Sequence, residues 1–434
     1  MNTPEDDPRT PEHPASDSAS RAAPTARWWD PWDEEAGTAR AARQAELIRD
    51  AFERQGVPVD IVSDRDGHPA FMHRRGVLLA RSEHAPRVRK ELGLDDDHEP
   101  PSRPLPAGLD EVRLPEHWDV HKTLDLVDRR VGFGAAAPDH VLHVSPVTWC
   151  MAMEPVPRPA SDLTVVATDP TSGQEALVVV VDTGALPDVI AAHDLLRGVT
   201  GQTEPPRSVV GHYSGHGTFV AGVVRRFAPA ADVRIESVLS VGGAALESDV
   251  VWGLVRALDQ APDVINLSAG TRTRGDRPLL SFELFHTIYA KQLAGTVLVA
   301  AAGNDGDRGP FWPAAFPWVT AVGALDQDLT RAGYSNYGSW VDVYAVGTDV
   351  VGPFPTGPYT YEEPPRVGQT ADFADGVAAW SGTSFAAPTV AGLTAVRASA
   401  TGESAVEAAQ SLVREARAGS GFDPGNGLRG SRNA

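Results

Sequence analysis

The chain predicts an α/β fold, an open parallel sheet with helices on both faces, preceded by a small α+β module. Leu177-Val178-Val179-Val180-Val181 is an unbroken apolar run, the mark of a strand buried on both faces of a parallel sheet. Beyond it, helical and strand periodicities alternate as far as residue 300, which calls for crossover connections rather than hairpins. Upstream, a shorter set of strand and helix signals is set apart by the proline-bearing stretch 151–175. At 434 residues there is room for one large domain and a smaller one.

Taken in order, residues 1–35 form an acidic, proline-rich tail with little to bury and are expected to be disordered. Trp28, Trp29 and Trp32 interrupt it, and packing on the chain's own body is the default reading of these rings. Residues 36–150 form the small α+β module. A helix over 36–55 has Leu47, Ile48, Ala51 and Phe52 on one face. Strands follow at 57–62 and 76–80, then a helix at 85–92 and a charged, prolyl connection from Asp95 to Pro106. A strand at 111–114, a helix at 120–131 and a strand at 140–144 complete the module. Residues 151–175 read as a linker, and 176–434 as the main domain. Its predicted elements are strand 177–181, helix 217–226, strand 232–239, helix 248–259, strand 264–267, helix 281–293 and strand 296–300. The prolyl segment 350–379 reads as a solvated surface insertion. After it, Phe385 to Val396 is rich in small and apolar residues, as in a buried helix.

The formal net charge of −20 offers no basic excess to neutralise phosphates, so nucleic acid is not an expected partner. A single cysteine, Cys150, excludes an intramolecular disulfide and reads as a buried apolar thiol. No run of 18 apolar residues offers a membrane span. The acidic start Met1-Asn2-Thr3-Pro4-Glu5 lacks the basic and apolar regions of a secretory signal, which gives a cytoplasmic location as the expectation. Most of the 13 histidines fall between His68 and His143, and His117 and His121 stand four apart on the predicted helix, with His140 and His143 on the strand after it. Zinc uses such pairs, but there is no HExxH pattern and no cysteine cluster, so no metal site is expected.

Ligands of open α/β sheets bind beyond the carboxyl ends of the strands, and the reactive residue types fall there. Asp182-Thr183-Gly184 ends the first apolar strand, Gly215-His216-Gly217-Thr218 opens a helix, and Ala302-Gly303-Asn304 follows another strand end. Ser384, in Gly382-Thr383-Ser384-Phe385-Ala386-Ala387-Pro388, sits where a helix begins, and the glycine allows the tight turn into it. Proline so early in a helix costs little, because first-turn N–H groups lack intrahelical partners. Those free N–H groups suit a developing negative charge. A serine nucleophile needs a base near neutrality, which histidine supplies, and a carboxylate holds the imidazole in the right tautomer. The oxyanion needs donors in place, which the Ser384 amide and the Asn304 side chain would provide. Singly each motif has a plain alternative. Asp-Thr-Gly also occurs in aspartic proteases, which need two copies per site. Gly-His-Gly and Gly-Asn-Asp-Gly can be simple turns. Their order and contexts together favour the nucleophilic set.

Residues from about 177 to 428 resemble subtilisin-type serine proteases, the subtilases. The resemblance rests on Val180-Val181-Asp182-Thr183-Gly184, Gly215-His216-Gly217-Thr218, Ala301-Ala302-Gly303-Asn304 and Gly382-Thr383-Ser384. Val264 to Gly270 is similar to the family's substrate-binding strand, and Trp312-Pro313 and Tyr334-Ser335-Asn336 also follow the pattern. The resemblance implies a subtilisin-like fold and peptide-bond hydrolysis through an acyl-enzyme on polypeptide substrates. It implies Asp182 as orienter, His216 as base then acid, Ser384 as nucleophile and Asn304 as oxyanion donor. Ser268, Ala269 and Gly270, with Ala302 and Gly303, would line the pocket for P1, the residue on the acyl side of the scissile bond. Phe311 stands near that pocket's floor, where the family often has a smaller residue. No cofactor is implied. Calcium is common in the family, but no acidic loop commits this chain to a site. The module's element order is similar to the propeptides of many subtilases. With no secretion signal, a regulatory or partner-protein-binding role ranks ahead of a propeptide role, and a latent intracellular protein is the alternative reading.

Overall fold

The N-terminal module is less self-contained than its element order suggests. In the computed structural model, which describes residues 34–94, 103–144, 154–204, 212–240, 242–419 and 429–430, its helix α1 spans Glu34–Arg54. The expected tail lies outside the described residues except for Glu34 and Glu35, which open α1, and its tryptophans and Cys150 also lie outside them. After α1 come β1 (Val59–Ser63), β2 (Pro69–Arg81), α2 (Ala85–Leu92), β3 (Leu109–Arg113), α3 (Val120–Arg130) and β4 (Ala136–His143). His117 therefore precedes α3 rather than pairing with His121 on it. The strands are antiparallel, with β2 between β1 and β4 and with β3 along its second half. Two small apolar cores follow, one around Leu78, Val88, Val112 and Leu124, the other around Ile48, Phe52 and Met72. The second is completed by Ala244 and Leu246 of the main domain, so the module buries its sheet edge only by borrowing a strand from its neighbour.

The main domain is built on β5 (Leu177–Asp182). Helix α4 (His216–Phe227), β6 (Asp232–Ser237), β7 (Ala244–Leu246), α5 (Glu247–Leu258), β8 (Val264–Leu267) and α6 (Leu280–Ile288) follow. Next come β9 (Val297–Ala301), β10 (Val319–Leu325), β11 (Val343–Val346), α7 (Thr383–Thr401) and α8 (Ala405–Ala418). The sheet order is β11-β10-β9-β8-β5-β6, all parallel, with a two-residue parallel edge at Thr200–Gly201 and an antiparallel one at Arg429–Gly430. Chain order reverses between β5 and β8, which makes their carboxyl ends the topological switch point where crevices form. Val178 to Val181 are fully buried, as the apolar run predicts. Helix α7 is buried without a break from Thr383 to Ala395 and packs on α4, hence its lack of a polar face. No helix among the described residues is long and apolar enough to cross a membrane.

Two expectations need correction. Residues 154–175 are not a free linker: Val156–Pro157 pairs with Val377–Trp380, which also pairs with Val350–Pro353. Nor is 350–379 a solvated insertion. Phe354, Tyr359, Tyr361, Phe373 and Trp380 are buried together, and their aromatic area outweighs the proline signal. Glu154 anchors this layer, accepting from Tyr359 Oη (2.8 Å) and from the amides of Glu362 (2.8 Å) and Glu363 (3.1 Å). His212 lies between Glu363 (2.9 Å) and Glu154 (3.5 Å). Burial acts to lower its pKa, but the two carboxylates outweigh that and hold it well above the ordinary value. From α1, Gln44 reaches into the same network, donating to Glu363 (2.7 Å) and Tyr213 (3.1 Å).

The module's second anchor is polar and buried. His140 Nδ1 lies 2.7 Å from Glu247 Oε2, and the Ser248 amide and hydroxyl donate to Asp139 at 3.3 and 3.1 Å. Asp139 thus serves the N-terminus of α5 from another domain. Burial, with the Glu247 and Asp249 carboxylates alongside, pushes its pKa up to about 8. A folded value raised above the ordinary 3.8 means that this group's stabilisation is complete below 3.8 and is lost as pH rises through 8. Asp139→Asn, which cannot ionise, should therefore melt above the native chain at pH 9 in scanning calorimetry, with the gap closing or inverting at pH 5. Parallel pH profiles for the two proteins would contradict this.

Candidate active site

The predicted residues converge at the switch point. Asp182 ends β5 and Ser268 follows β8 one step beyond the Leu267–Val181 pair, so the two strand ends lie side by side. His216 opens α4, and its Nδ1 is 2.8 Å from Asp182 Oδ1. The Thr183 amide also donates to Asp182 Oδ1 at 2.7 Å, fixing the carboxylate before the imidazole meets it. Both side chains are buried, which strengthens their contact by removing water. Gly217 makes the approach feasible: a β-carbon there would fall 2.9 Å from Gly184 O and 3.1 Å from Asp182 Cβ. Trp380 and Phe385 flank the imidazole, each with its ring centroid 5.3 Å away.

Ser384 is the second residue of α7, and Gly382 at φ 156° turns the chain into it. Asn304 follows β9, and its Oδ1 accepts from both the amide and the hydroxyl of Thr383, each at 2.8 Å. That contact fixes which way the amide group points, with the carboxamide NH2 opposite the helix start. Gly303 N donates to Thr383 Oγ1 (3.1 Å), so one threonine holds both residues of the loop. Ser268 Oγ donates to the Ser384 carbonyl at 2.8 Å and accepts from Asn266 at 2.9 Å, tying the end of β8 to the start of α7.

The serine hydroxyl is not engaged with His216. Its Oγ lies 3.1 Å from Ser268 O and 3.2 Å from Val144 O. Val144 belongs to the module. β4 runs antiparallel to β7, with Val141, Leu142 and His143 opposite Leu246, Ala245 and Ala244. On its other side His143 and Gly270 exchange main-chain hydrogen bonds of 3.0 and 3.1 Å, and Val144 N donates to Gly243 O at 3.0 Å. The module's last strand thus enters the cleft between its two edges and stops at the serine. His143 is buried with Nδ1 unpartnered, and burial lowers its pKa to about 3.

Several supporting residues escaped the motif reading. Glu204 accepts from Thr183 Oγ1 (2.5 Å) and the Gly215 amide (2.8 Å), and Thr183 Oγ1 in turn accepts from Gly217 N (3.0 Å). Asn336 Nδ2 donates to Ala302 O (2.9 Å), while its Oδ1 accepts from the Asp305 amide (2.8 Å), bracing the loop that carries Asn304. Asn336 lies in a quoted motif, whereas nothing around Glu204 marks it. His73 and His121 meet as a pair, Nε2 to Nε2 at 3.1 Å. No group of three or more His, Cys, Asp or Glu able to hold a metal ion occurs among the described residues.

Comparison with known proteins identifies the family. A thermophilic serine proteinase of Bacillus sp. (strain AK1) is 33% identical over 263 residues, 57% of this chain and 57% of that protein. A thermostable alkaline protease of Halalkalibacterium halodurans is 33% identical over 234 residues, 52% of this chain and 57% of that protein. Thermitase of Thermoactinomyces vulgaris is 33% identical over 246 residues, 54% of this chain and 78% of that protein. The chain thus spans little more than half the length of the first two. The model of the subtilase family, peptidase S8, matches residues 173–427. The chain belongs to the subtilase family.

Proposed function

We propose that this protein is a serine endopeptidase acting on polypeptides and held latent by its own N-terminal module. The observation that carries the catalytic reading is the buried Asp182–His216 contact, at the strand ends where Ser384 and Asn304 also stand. Asp182 fixes the Nδ1–H tautomer, which leaves Nε2 as the base. Ser384 Oγ gives its proton to Nε2 and bonds to the scissile carbonyl carbon, and the carbonyl electron pair moves onto oxygen. The Ser384 amide and the Asn304 carboxamide donate to that oxyanion. Collapse breaks the C–N bond, and the imidazolium protonates the leaving amine. Water then repeats the sequence on the acyl-enzyme and frees the acid. The chemistry runs on protein groups alone and calls for no cofactor.

Latency is supported by β4, which takes both cleft edges and draws the serine hydroxyl toward Val144 O. An extended substrate needs the same edge groups, so module and substrate compete. This favours an inhibitory, propeptide-like role over the partner-binding one ranked first on sequence. Binding of a partner protein by the module remains a reading that α1 and its contacts with Glu363 would couple to the cleft.

A fluorophosphonate probe should label the native chain slowly and Ser384→Ala not at all; labelling that survives the substitution would sink the assignment. Asn304→Ala should lower kcat roughly a hundredfold or more with little change in KM, a magnitude carried over from subtilisin itself. His143→Pro removes the N–H that donates to Gly270 O and should raise peptide turnover of the full chain severalfold, whereas unchanged turnover would argue against latency. Acid should act similarly. His143 has a folded value of about 3 against an ordinary 6.5, so its stabilisation is present above 6.5 and is lost as pH falls toward 3. Relief of inhibition should therefore grow between pH 6.5 and 4.5, and less so in His143→Leu; identical profiles would contradict it.

A further inference from the structure

Strand pairing also fixes where the P1 side chain must go, an inference that rests on the peptidase reading. β4 runs antiparallel to Ser268–Gly270 with His143 opposite Gly270, so a substrate bound in the same sense places the residue two further on opposite Ser268. Ser384 Oγ lies 3.1 Å from Ser268 O and 3.2 Å from the carbonyl of Val144, the residue just before that position, so the next residue along a productive substrate is the one whose carbonyl meets the nucleophile. The family pattern implies that its side chain enters between Ser268–Gly270 and Ala302–Gly303.

Both walls carry glycine where they face the gap, and the gap is already filled. A β-carbon on Gly270 would fall 2.3 Å from Phe311 Cε1, and one on Gly303 would fall 2.8 Å from Phe311 Cγ. One ring therefore lies against the α-carbons of both walls, and it is only 3% exposed. Gly303 at φ +92° and the bare Gly270 are what allow the ring so close.

The ring is held from both sides. Thr271 and Trp312 exchange main-chain hydrogen bonds of 2.8 and 2.9 Å, which sets Phe311 beside Gly270, and Ala315 N donates to Phe311 O at 2.9 Å. Trp312 and Ala314 belong to the central apolar core while Phe311 does not, so its backbone is fixed as its ring projects into the gap. The walls resist widening, since Arg272 on one pairs with Asp305 and Asp307 on the other.

We infer that Phe311 occupies the P1 pocket and restricts cleavage to bonds that follow glycine, alanine or serine. A larger side chain would have to expel a buried ring or leave its own carbonyl displaced from Ser384 and the oxyanion donors, and displacements of that kind lower the rate steeply.

The test uses fluorogenic peptides that differ only at P1, assayed on the native chain and on His143→Pro. Alanine, serine or glycine at P1 should exceed phenylalanine or leucine by roughly a hundredfold in kcat/KM. Phe311→Gly should raise kcat/KM for the phenylalanine substrate relative to that for the alanine substrate by at least about tenfold. Phe311→Val serves as a second, smaller opening, and the native P1 profile stands without any variant. Native enzyme that is labelled by a fluorophosphonate lacking a P1 group, yet prefers phenylalanine or leucine, would overturn this inference and leave the peptidase reading standing. Failure of that probe on both proteins would overturn the peptidase reading and this inference with it.

Discussion

Between Gly243–Leu246 and Ser268–Gly270 lies a gap one strand wide, and the main-chain groups that fill it decide what the protein can do. In this structure β4 fills it, satisfying Gly243 O, Gly270 O and Gly270 N. Each such bond contributes about 1 kcal/mol net, and leaving its partner buried and unmatched costs more. Because the bonds involve only backbone, a peptide of almost any sequence can replace β4, provided that it outcompetes a strand tethered in the same molecule. Tethering supplies an effective concentration on the order of millimolar. On the proposed reading, latency is a matter of competition rather than of a misassembled site: the Asp182–His216 and Asn304–Thr383 contacts are made, and the Ser384 hydroxyl lies toward Val144 O.

The tether is reinforced away from the cleft. Asp139 and His140 bury polar groups against the start of α5, and Gln44 reaches the Glu154–His212–Glu363 network. Breaking one partner of such buried sets is costly, since the other is left unmatched. Two anchors away from the cleft thus hold the module on the main domain. The same network sits next to Tyr213 and His216 in the chain, so the module's hold and the position of His216 share one layer of structure.

Much of this was legible in the sequence. The run Val178–Val181 announces a strand buried on both faces, and Asp182, His216, Asn304 and Ser384 announce themselves by their places at element ends. The occupation of the cleft by β4 was not legible. His140 to Val144 reads as a strand, but its partners lie about a hundred residues on and contact it through backbone, which side-chain patterns do not encode. The insertion 350–379 misled for a different reason: prolines imply loop, yet Phe354, Tyr359, Tyr361, Phe373 and Trp380 supply enough aromatic area for a buried layer. Phe311 was visible as an unexpectedly large residue near the pocket, but only the closeness of its ring to Gly270 and Gly303 says that the pocket is filled. The histidine-rich module, which raised the question of metal, uses His140 and His143 to dock on the main domain.

Hydrogen exchange of the Ser384→Ala chain, in which the proposed nucleophile is removed, tests the central claim most directly. The His143 and Val144 amides donate to Gly270 and Gly243 inside the cleft, so they should exchange as slowly as the amides of the central strand Val178–Val181. Exchange at the rate of exposed chain would mean that the module does not occupy the cleft, and the account of latency would be wrong.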